Sequence, residues 1–118
     1  MHKHLALALV VLYFVTLTAF SLINLGGTPS LGSSFDDKIY HFVAYTLFAL
    51  LLYNYLNAVS IKSSIFFTIL FTTGYGILME ILQNLVTEYR VSDLYDVVAN
   101  FFGIIFGAIM ISIYKKLK

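Results

Sequence analysis

Apolar residues along the chain fall into four long stretches separated by short polar segments. The stretches run approximately from Leu5 to Leu25, Ile39 to Leu56, Ile65 to Val86 and Val97 to Tyr114. Each is close to the roughly 20 residues that an α-helix needs to cross the hydrocarbon core of a bilayer. None shows the alternation of polar and apolar residues that is typical of barrel strands. In lipid the backbone N–H and C=O groups must therefore form their hydrogen bonds within helices. The pattern predicts an all-α, integral membrane four-helix bundle.

The connections between these stretches are too short to hold a further domain. The first, residues 26–34, contains the only proline and several glycines and serines, which is typical of an irregular loop. The first apolar stretch follows Lys3 but ends without a clear cleavage site, so we interpret it as an uncleaved span rather than a signal peptide. We therefore expect one transmembrane domain over residues 1–118.

Composition narrows the range of partners. Hydrophobic residues make up 60% of the chain and charged residues only 11%, against roughly 25% charged in soluble domains. The chain has no cysteine, which excludes disulfides and thiolate metal sites. Its largest basic cluster is Lys115, Lys116 and Lys118, which is too small to favour nucleic acid. The lipid bilayer is the expected partner.

Lysine and arginine positions predict the orientation in the membrane. With four crossings, both termini and the second loop share one side, which collects Lys3, Lys62, Lys115, Lys116 and Lys118. The other side has only Lys38 and Arg90. Positive residues favour the cytoplasmic side, so we expect both termini in the cytoplasm and the acidic residues in or near the external half.

Polar residues form one stripe on each of the last three predicted helices. The stripes have the spacing of three and four that marks one helical face, and they contain Lys38, His41 and Tyr45, then Glu80 and Gln83, then Asp96, Asn100, Gly103 and Gly107. Because lipid penalises such groups, we expect them to converge in a pocket at the external side, with Arg90 beside it. A carboxylate as deep as Glu80 should be paired with Lys38, His41 or Arg90, or be protonated. The Gly103 and Gly107 pair permits close helix packing, within one chain or between copies.

The order and spacing of these residues resemble the VanZ-like family of small bacterial membrane proteins. The matching positions are Asp37, Lys38, His41, Tyr45, Glu80, Gln83, Arg90, Asp96, Asn100, Gly103 and Gly107. The resemblance implies a multi-pass protein of the bacterial cytoplasmic membrane. It also implies a link to resistance against teicoplanin-type glycopeptide antibiotics, without an agreed biochemical mechanism.

The pocket suggests binding of an anionic lipid-linked or cell-wall ligand, and it leaves open whether that ligand is also modified. Lys38 and Arg90 would hold phosphate or carboxylate, Gln83 and Asn100 would orient the ligand, and Tyr45 would contact it. The candidate catalytic residues are His41 as general acid or base, with Glu80 or Asp96 as its partner. Asp37, Gly103 and Gly107 have structural roles in this interpretation.

Other readings of the same residues remain open. No zinc site is expected from a single pocket histidine, and no cofactor is implied, although a Mg²⁺-type site from Glu80, Asp93 and Asp96 is a minor alternative. A small proton-coupled transporter could use Glu80, but transport favours polar positions spread across the membrane. A non-catalytic scaffold with a purely structural polar network is the third hypothesis. The sequence leaves enzymatic activity and oligomeric state undecided.

Overall fold

The chain folds into four helices that are each long enough to cross a membrane. A computed structural model describes residues 2–22, 35–86 and 94–117. These residues form α1 (His2–Leu22), α2 (Phe35–Ala58), α3 (Ser64–Val86) and α4 (Leu94–Leu117), with no strand among them. All four have the length and apolar composition of membrane spans. The predicted all-α, four-span architecture is confirmed.

The helices extend beyond the apolar stretches that predicted them. α1 begins at His2 rather than Leu5, α2 at Phe35 rather than Ile39, and α4 at Leu94 rather than Val97. α2 and α4 also end later than predicted, whereas residues 23–25 of the first predicted stretch lie outside the described residues. Hydropathy marks the part of a helix that lies in lipid, but the backbone continues its hydrogen bonds through flanking polar residues.

α2 is the central helix of the bundle. It packs against α1, α3 and α4, and its contact with α4 is the most extensive of the fold. α1 lies at the periphery, against α2 and α3, and within the described ranges it does not contact α4. The three helices that carry the polar stripes are thus mutual neighbours.

Glycines on α4 let its backbone approach α2 closely. A Cβ atom added at Gly103 would lie 2.3 Å from the carbonyl oxygen of Phe42, and one at Gly107 would lie 3.3 Å from the Cβ of Ala49. The hydroxyl of Thr46 donates a hydrogen bond to the carbonyl of Gly103 across the same interface, at 2.9 Å. The two glycines therefore pack inside the chain and hold α2 and α4 together.

Aromatic rings fill the centre of the bundle. Phe48 is fully buried, and its ring centroid lies 5.2 Å from that of Tyr75 and 6.1 Å from that of Tyr45. Phe14 extends this cluster to α1, with its ring 5.0 Å from Tyr75. Such edge and tilted contacts fix the relative positions of the helices better than aliphatic packing alone.

The connection between α2 and α3 is a tight turn. Ser60 adopts a left-handed conformation with φ of 62°. The amide of Ser60 donates to the carbonyl of Asn57, and the amide of Ile61 donates to that of Leu56. These two bonds are the Schellman motif, which satisfies carbonyls at the end of α2. The second connection is thus short, as predicted, and these two bonds order its backbone.

The outer surface of the bundle is apolar. Large side chains such as Leu12, Phe66, Phe102 and Ile113 are more than half exposed, and they occur on all four helices. A water-soluble monomer does not expose apolar patches of this extent. This surface fits the hydrocarbon interior of a bilayer, so the chain is a multi-pass membrane protein.

The Gly103→Ala substitution is expected to destabilise the protein, by roughly 1–3 kcal/mol for overpacking. The added methyl group would collide with the backbone of Phe42, which cannot move without separating α2 from α4. Thermal unfolding in detergent, followed by circular dichroism, measures the effect as a lower Tm.

Gly74→Ala is the matched control for this substitution. A Cβ atom at Gly74 has no other atom within 4 Å, and alanine favours a helix more than glycine does. Its Tm should be unchanged or higher. Equal Tm values for the two variants would contradict the close packing of α2 and α4.

Candidate functional site

Five polar side chains from three helices meet at one end of the bundle. α2 supplies Lys38 and His41 near its beginning, α3 supplies Glu80 toward its end, and α4 supplies Asp96 and Asn100 in its first turns. We call these five residues the polar cluster. Glu80, Asp96 and Asn100 are buried, at 5%, 5% and 3% exposure. The stripes predicted from the sequence therefore converge.

An ion pair of the polar cluster joins α2 to α4. The ammonium nitrogen of Lys38 lies 2.8 Å from Oδ1 of Asp96. The Lys38 side chain is 23% exposed and the Asp96 side chain 8%, so the cluster opens to its surroundings beside the lysine. Asp96 lies in the first turn of α4, where the helix dipole also favours a negative charge.

His41 is held between Asn100 and Asp96. Its Nδ1 lies 2.8 Å from Oδ1 of Asn100, and its Nε2 lies 3.5 Å from Oδ2 of Asp96. Because an amide oxygen only accepts hydrogen bonds, Nδ1 carries the proton in the first contact. The second contact is longer than the roughly 2.7–2.9 Å of a charge-assisted hydrogen bond.

Glu80 lies in the same buried space. Its carboxylate and the ligand atoms of His41 and Asp96 lie within 4.8 Å of one another. Two carboxylates and an imidazole thus share one small volume in a low-dielectric interior, where the charge on each group strongly affects whether the others are ionised. Glu80 is close to His41, one of the three partners expected from the sequence.

Tyr45 forms the floor of the polar cluster. Its ring is stacked near that of His41, with centroids 6.5 Å apart, and it is only 2% exposed. A Cβ atom added at Gly76 would lie 3.2 Å from both the Tyr45 ring and the amide nitrogen of Asn100. That nitrogen has no hydrogen-bond partner among the described residues. The glycine therefore provides the space in which the amide sits.

Other predicted residues lie outside this description or away from the polar cluster. Asp37 is in α2 and Gln83 is in α3, but the placement of their side chains is not described. Arg90 and Asp93 lie outside the described residues. Gly103 and Gly107 lie further along α4, where they pack against α2. The packing role predicted for Gly103 and Gly107 is thus separate from the cluster itself.

Sequence reasoning did not identify the polar contacts below the cluster. The hydroxyls of Thr18 and Tyr75 lie 2.5 Å apart, and the hydroxyl of Tyr13 donates to the carbonyl of Ala44. Both contacts attach α1 to the other helices. An isolated hydroxyl in an apolar helix gives no periodic signal. It can also bond to its own helix, as Thr72 does with the carbonyl of Thr68, so its presence does not predict a contact between helices.

The polar cluster can bind a ligand and exchange protons with it. Lys38 offers an ammonium, Asn100 offers an amide donor, and His41, Glu80 and Asp96 offer groups that can gain or lose a proton. The same nitrogen and carboxylate oxygens are also of the types that bind divalent metal ions.

The chain matches a known protein family over nearly its whole length. Residues 5–115, nearly the whole chain, match the family described as VanZ/LLP1. No curated protein and no solved structure matches the chain.

The pair between Lys38 and Asp96 can be tested by a double-mutant cycle. Lys38→Met leaves a buried carboxylate without this partner and should lower stability by roughly 1–3 kcal/mol, below the roughly 3–5 kcal/mol of a fully buried pair because the lysine is partly exposed. Asp96→Asn should also lower it. The double variant should lose less stability than the sum of the two single losses, measured as Tm in detergent. Strictly additive losses would mean that the pair contributes nothing.

Proposed function

We propose, on the premise that this chain belongs to the VanZ/LLP1 family, that it binds an anionic lipid-linked or cell-wall ligand in the polar cluster. The protein would lie in the bacterial cytoplasmic membrane with both termini in the cytoplasm, which turns the cluster to the outside. A role in resistance to teicoplanin-type glycopeptides, through a cell-wall precursor held in this pocket, is part of the same proposal.

The observation that carries this proposal is the convergence of five polar side chains at one end of a bundle whose outer surface is apolar, namely Lys38, His41, Glu80, Asp96 and Asn100. Ionisable groups at membrane depth are costly, and they typically mark a functional site. In a purely structural network, the hydrogen-bonding groups of its members would be paired with one another. Here the amide nitrogen of Asn100 is buried without a hydrogen-bond partner among the described residues, which supports a ligand with an acceptor oxygen.

Two features favour a ligand of negative charge. The Lys38 side chain is more exposed than the Asp96 side chain with which it pairs, so a ligand would meet the ammonium first. The N-termini of α2 and α4 both lie at this end of the bundle, and helix N-termini attract anions. Arg90 would add a bidentate contact to phosphate or carboxylate.

A chemical step on the bound ligand would use His41, Glu80 and Asp96. They are the titratable groups of the cluster that lie close enough to act on one reacting atom. Proton transfer requires such a positioned pair of donor and acceptor. Tyr45, Gln83 and Asn100 would position the ligand.

Proton-coupled transport receives less support from the fold. A carrier needs polar positions along the path of its substrate. Among the described residues, those buried on α3 below Glu80 include Thr68 and Thr72, which are uncharged, and Thr72 bonds to the carbonyl of Thr68. The described lysines outside the cluster are exposed, at the ends of the helices. Ligand binding at one end accounts better for this distribution, and a scaffold role is the outcome if no ligand binds.

The proposed orientation can be tested by cysteine labelling, because the chain has no cysteine of its own. Ser60→Cys, in the exposed turn after α2, should be protected from a membrane-impermeant maleimide in intact cells and react after permeabilisation. Ser33→Cys, in the first loop of the sequence, should react in intact cells. The reverse pattern would place the polar cluster on the cytoplasmic side.

Anion binding can be tested with protein in nanodiscs that contain a polyprenyl phosphate or phosphatidic acid in phosphatidylcholine. Native mass spectrometry should show retention of the phosphate lipids over phosphatidylcholine. Lys38→Ala and Arg90→Ala should each weaken retention about tenfold, since a hydrogen bond to a charged group contributes roughly 1.5–3 kcal/mol.

Lys62→Ala is the matched control for the anion-binding test. It removes one positive charge from an exposed residue between α2 and α3, at the opposite end of the bundle from the polar cluster. Retention by this variant should equal that of the unmodified protein. If all variants retain every lipid equally, the anion pocket is wrong.

A further inference from the structure

The geometry points to a metal site within the polar cluster: we propose that His41, Glu80 and Asp96 bind one divalent transition-metal cation, of the Mn²⁺ or Zn²⁺ class. This inference deepens the proposed function, because the cation would contribute to anion binding at the same site. It differs from the magnesium-type alternative considered for the sequence, in which Asp93 took the place of His41. It also differs from the expectation that a single pocket histidine gives no zinc site, because that expectation did not count Glu80 and Asp96 as ligands beside His41.

The three donor groups come from three different helices and point into one volume. The imidazole of His41 belongs to α2, the carboxylate of Glu80 to α3 and that of Asp96 to α4, and their ligand atoms lie within 4.8 Å of one another. Nε2 of His41 and Oδ2 of Asp96 are 3.5 Å apart. Two ligands at about 2.1 Å from a tetrahedral centre are separated by about 3.4 Å, so this spacing accommodates a shared cation.

Asn100 supplies a second and independent observation. Its oxygen lies 2.8 Å from Nδ1 of His41, and it places the proton of a neutral imidazole on that nitrogen. Nε2 then faces Oδ2 of Asp96 at 3.5 Å with its lone pair, so a cation between these two atoms would contact both. A hydrogen-bond acceptor on the second ring nitrogen is the arrangement that orients metal-binding histidines.

The two oxygens of the Asp96 carboxylate would serve the Lys38 ammonium and the proposed cation separately. Its Oδ1 contacts the ammonium of Lys38 at 2.8 Å, while Oδ2 faces His41. The contact with the lysine therefore uses Oδ1 and not Oδ2, the oxygen that a monodentate metal contact would use.

Donor chemistry and charge decide which cation fits. Mg²⁺ and Ca²⁺ prefer oxygen donors, whereas an imidazole with two carboxylates suits first-row transition metals and Zn²⁺. With ionised Glu80 and Asp96 and neutral His41, the charged side chains of the cluster sum to one negative charge, so Lys38 attracts an anion against the field of two carboxylates. A divalent cation reverses that sign, and three protein ligands leave coordination positions for a phosphate or carboxylate oxygen. The amide nitrogen of Asn100, which has no hydrogen-bond partner in the part of the chain that the structure describes, would then donate to the same ligand.

Metal binding can be measured on the full chain in detergent without any lipid ligand. The chelator-treated protein is titrated with Mn²⁺, Zn²⁺ or Mg²⁺ alone, and the bound metal is quantified by elemental mass spectrometry after desalting. We expect one equivalent of Mn²⁺ or Zn²⁺ per chain and a higher Tm, since a cation that binds only the folded state stabilises it. Mg²⁺ should bind at least tenfold more weakly.

Variants decide where the metal binds. His2 and His4 near the N-terminus could bind a metal adventitiously, so the experiment uses the His2→Ala/His4→Ala chain as its reference. Glu80→Gln and His41→Gln, which nearly preserve side-chain volume, should each weaken binding at least tenfold from that reference. If His41→Gln does not fold, Glu80→Gln alone carries the comparison. Unchanged binding in a folded variant, or no binding by the reference chain, would overturn the metal site.

Failure of the metal-site inference can be distinguished from failure of the proposed anion binding. Phosphate-lipid retention is measured in parallel on chelator-treated and Mn²⁺-loaded protein in the same nanodiscs. Stronger retention by the loaded protein supports the cation as part of the pocket. Equal retention with and without metal overturns this inference but leaves anion binding by Lys38 and Arg90 in place.

Discussion

The cost of placing charge in an apolar environment is the constraint on which this structure depends. Lys38 and Asp96 lie on different helices, and neither could remain at membrane depth without a partner. Their contact requires α2 and α4 to approach closely, and the glycines of α4 make that approach possible. Backbone packing and charge pairing thus support each other, since the glycine contact sets the distance at which the ions meet.

The bundle separates structural and chemical roles along its length. Aromatic rings around Phe48 fill the middle, and the exposed apolar side chains face lipid. The groups that can bind or transfer charge are gathered at the end where α2 and α4 begin. A protein of this size can therefore build a site of several ionisable groups without a separate soluble domain, because three helix ends share the desolvation cost.

The sequence predicted this arrangement well where physical cost produces a pattern. Lipid forces helices and penalises charge, so the four spans and the inward convergence of Lys38, His41, Glu80, Asp96 and Asn100 could be read from spacing alone. The helices were predicted too short, because the polar residues that follow Phe35 at the start of α2 interrupt the apolar pattern. The hydroxyl contacts of Tyr13 and Thr18 were missed because one hydroxyl on an apolar face has no periodicity. The distance of 3.5 Å between His41 and Asp96 depends on side-chain rotamers, which spacing does not define.

The tight turn at Ser60 has a mechanical consequence. α2 is fixed to α4 by the glycine contacts and the Thr46 hydrogen bond, and it is tethered to α3 by only a few residues at the opposite end from the cluster. Separating α2 from α4 would break the closest backbone contact of the fold. The short connection keeps the start of α3 beside the end of α2, so the height of Glu80 opposite Lys38 and His41 depends on the length of this turn.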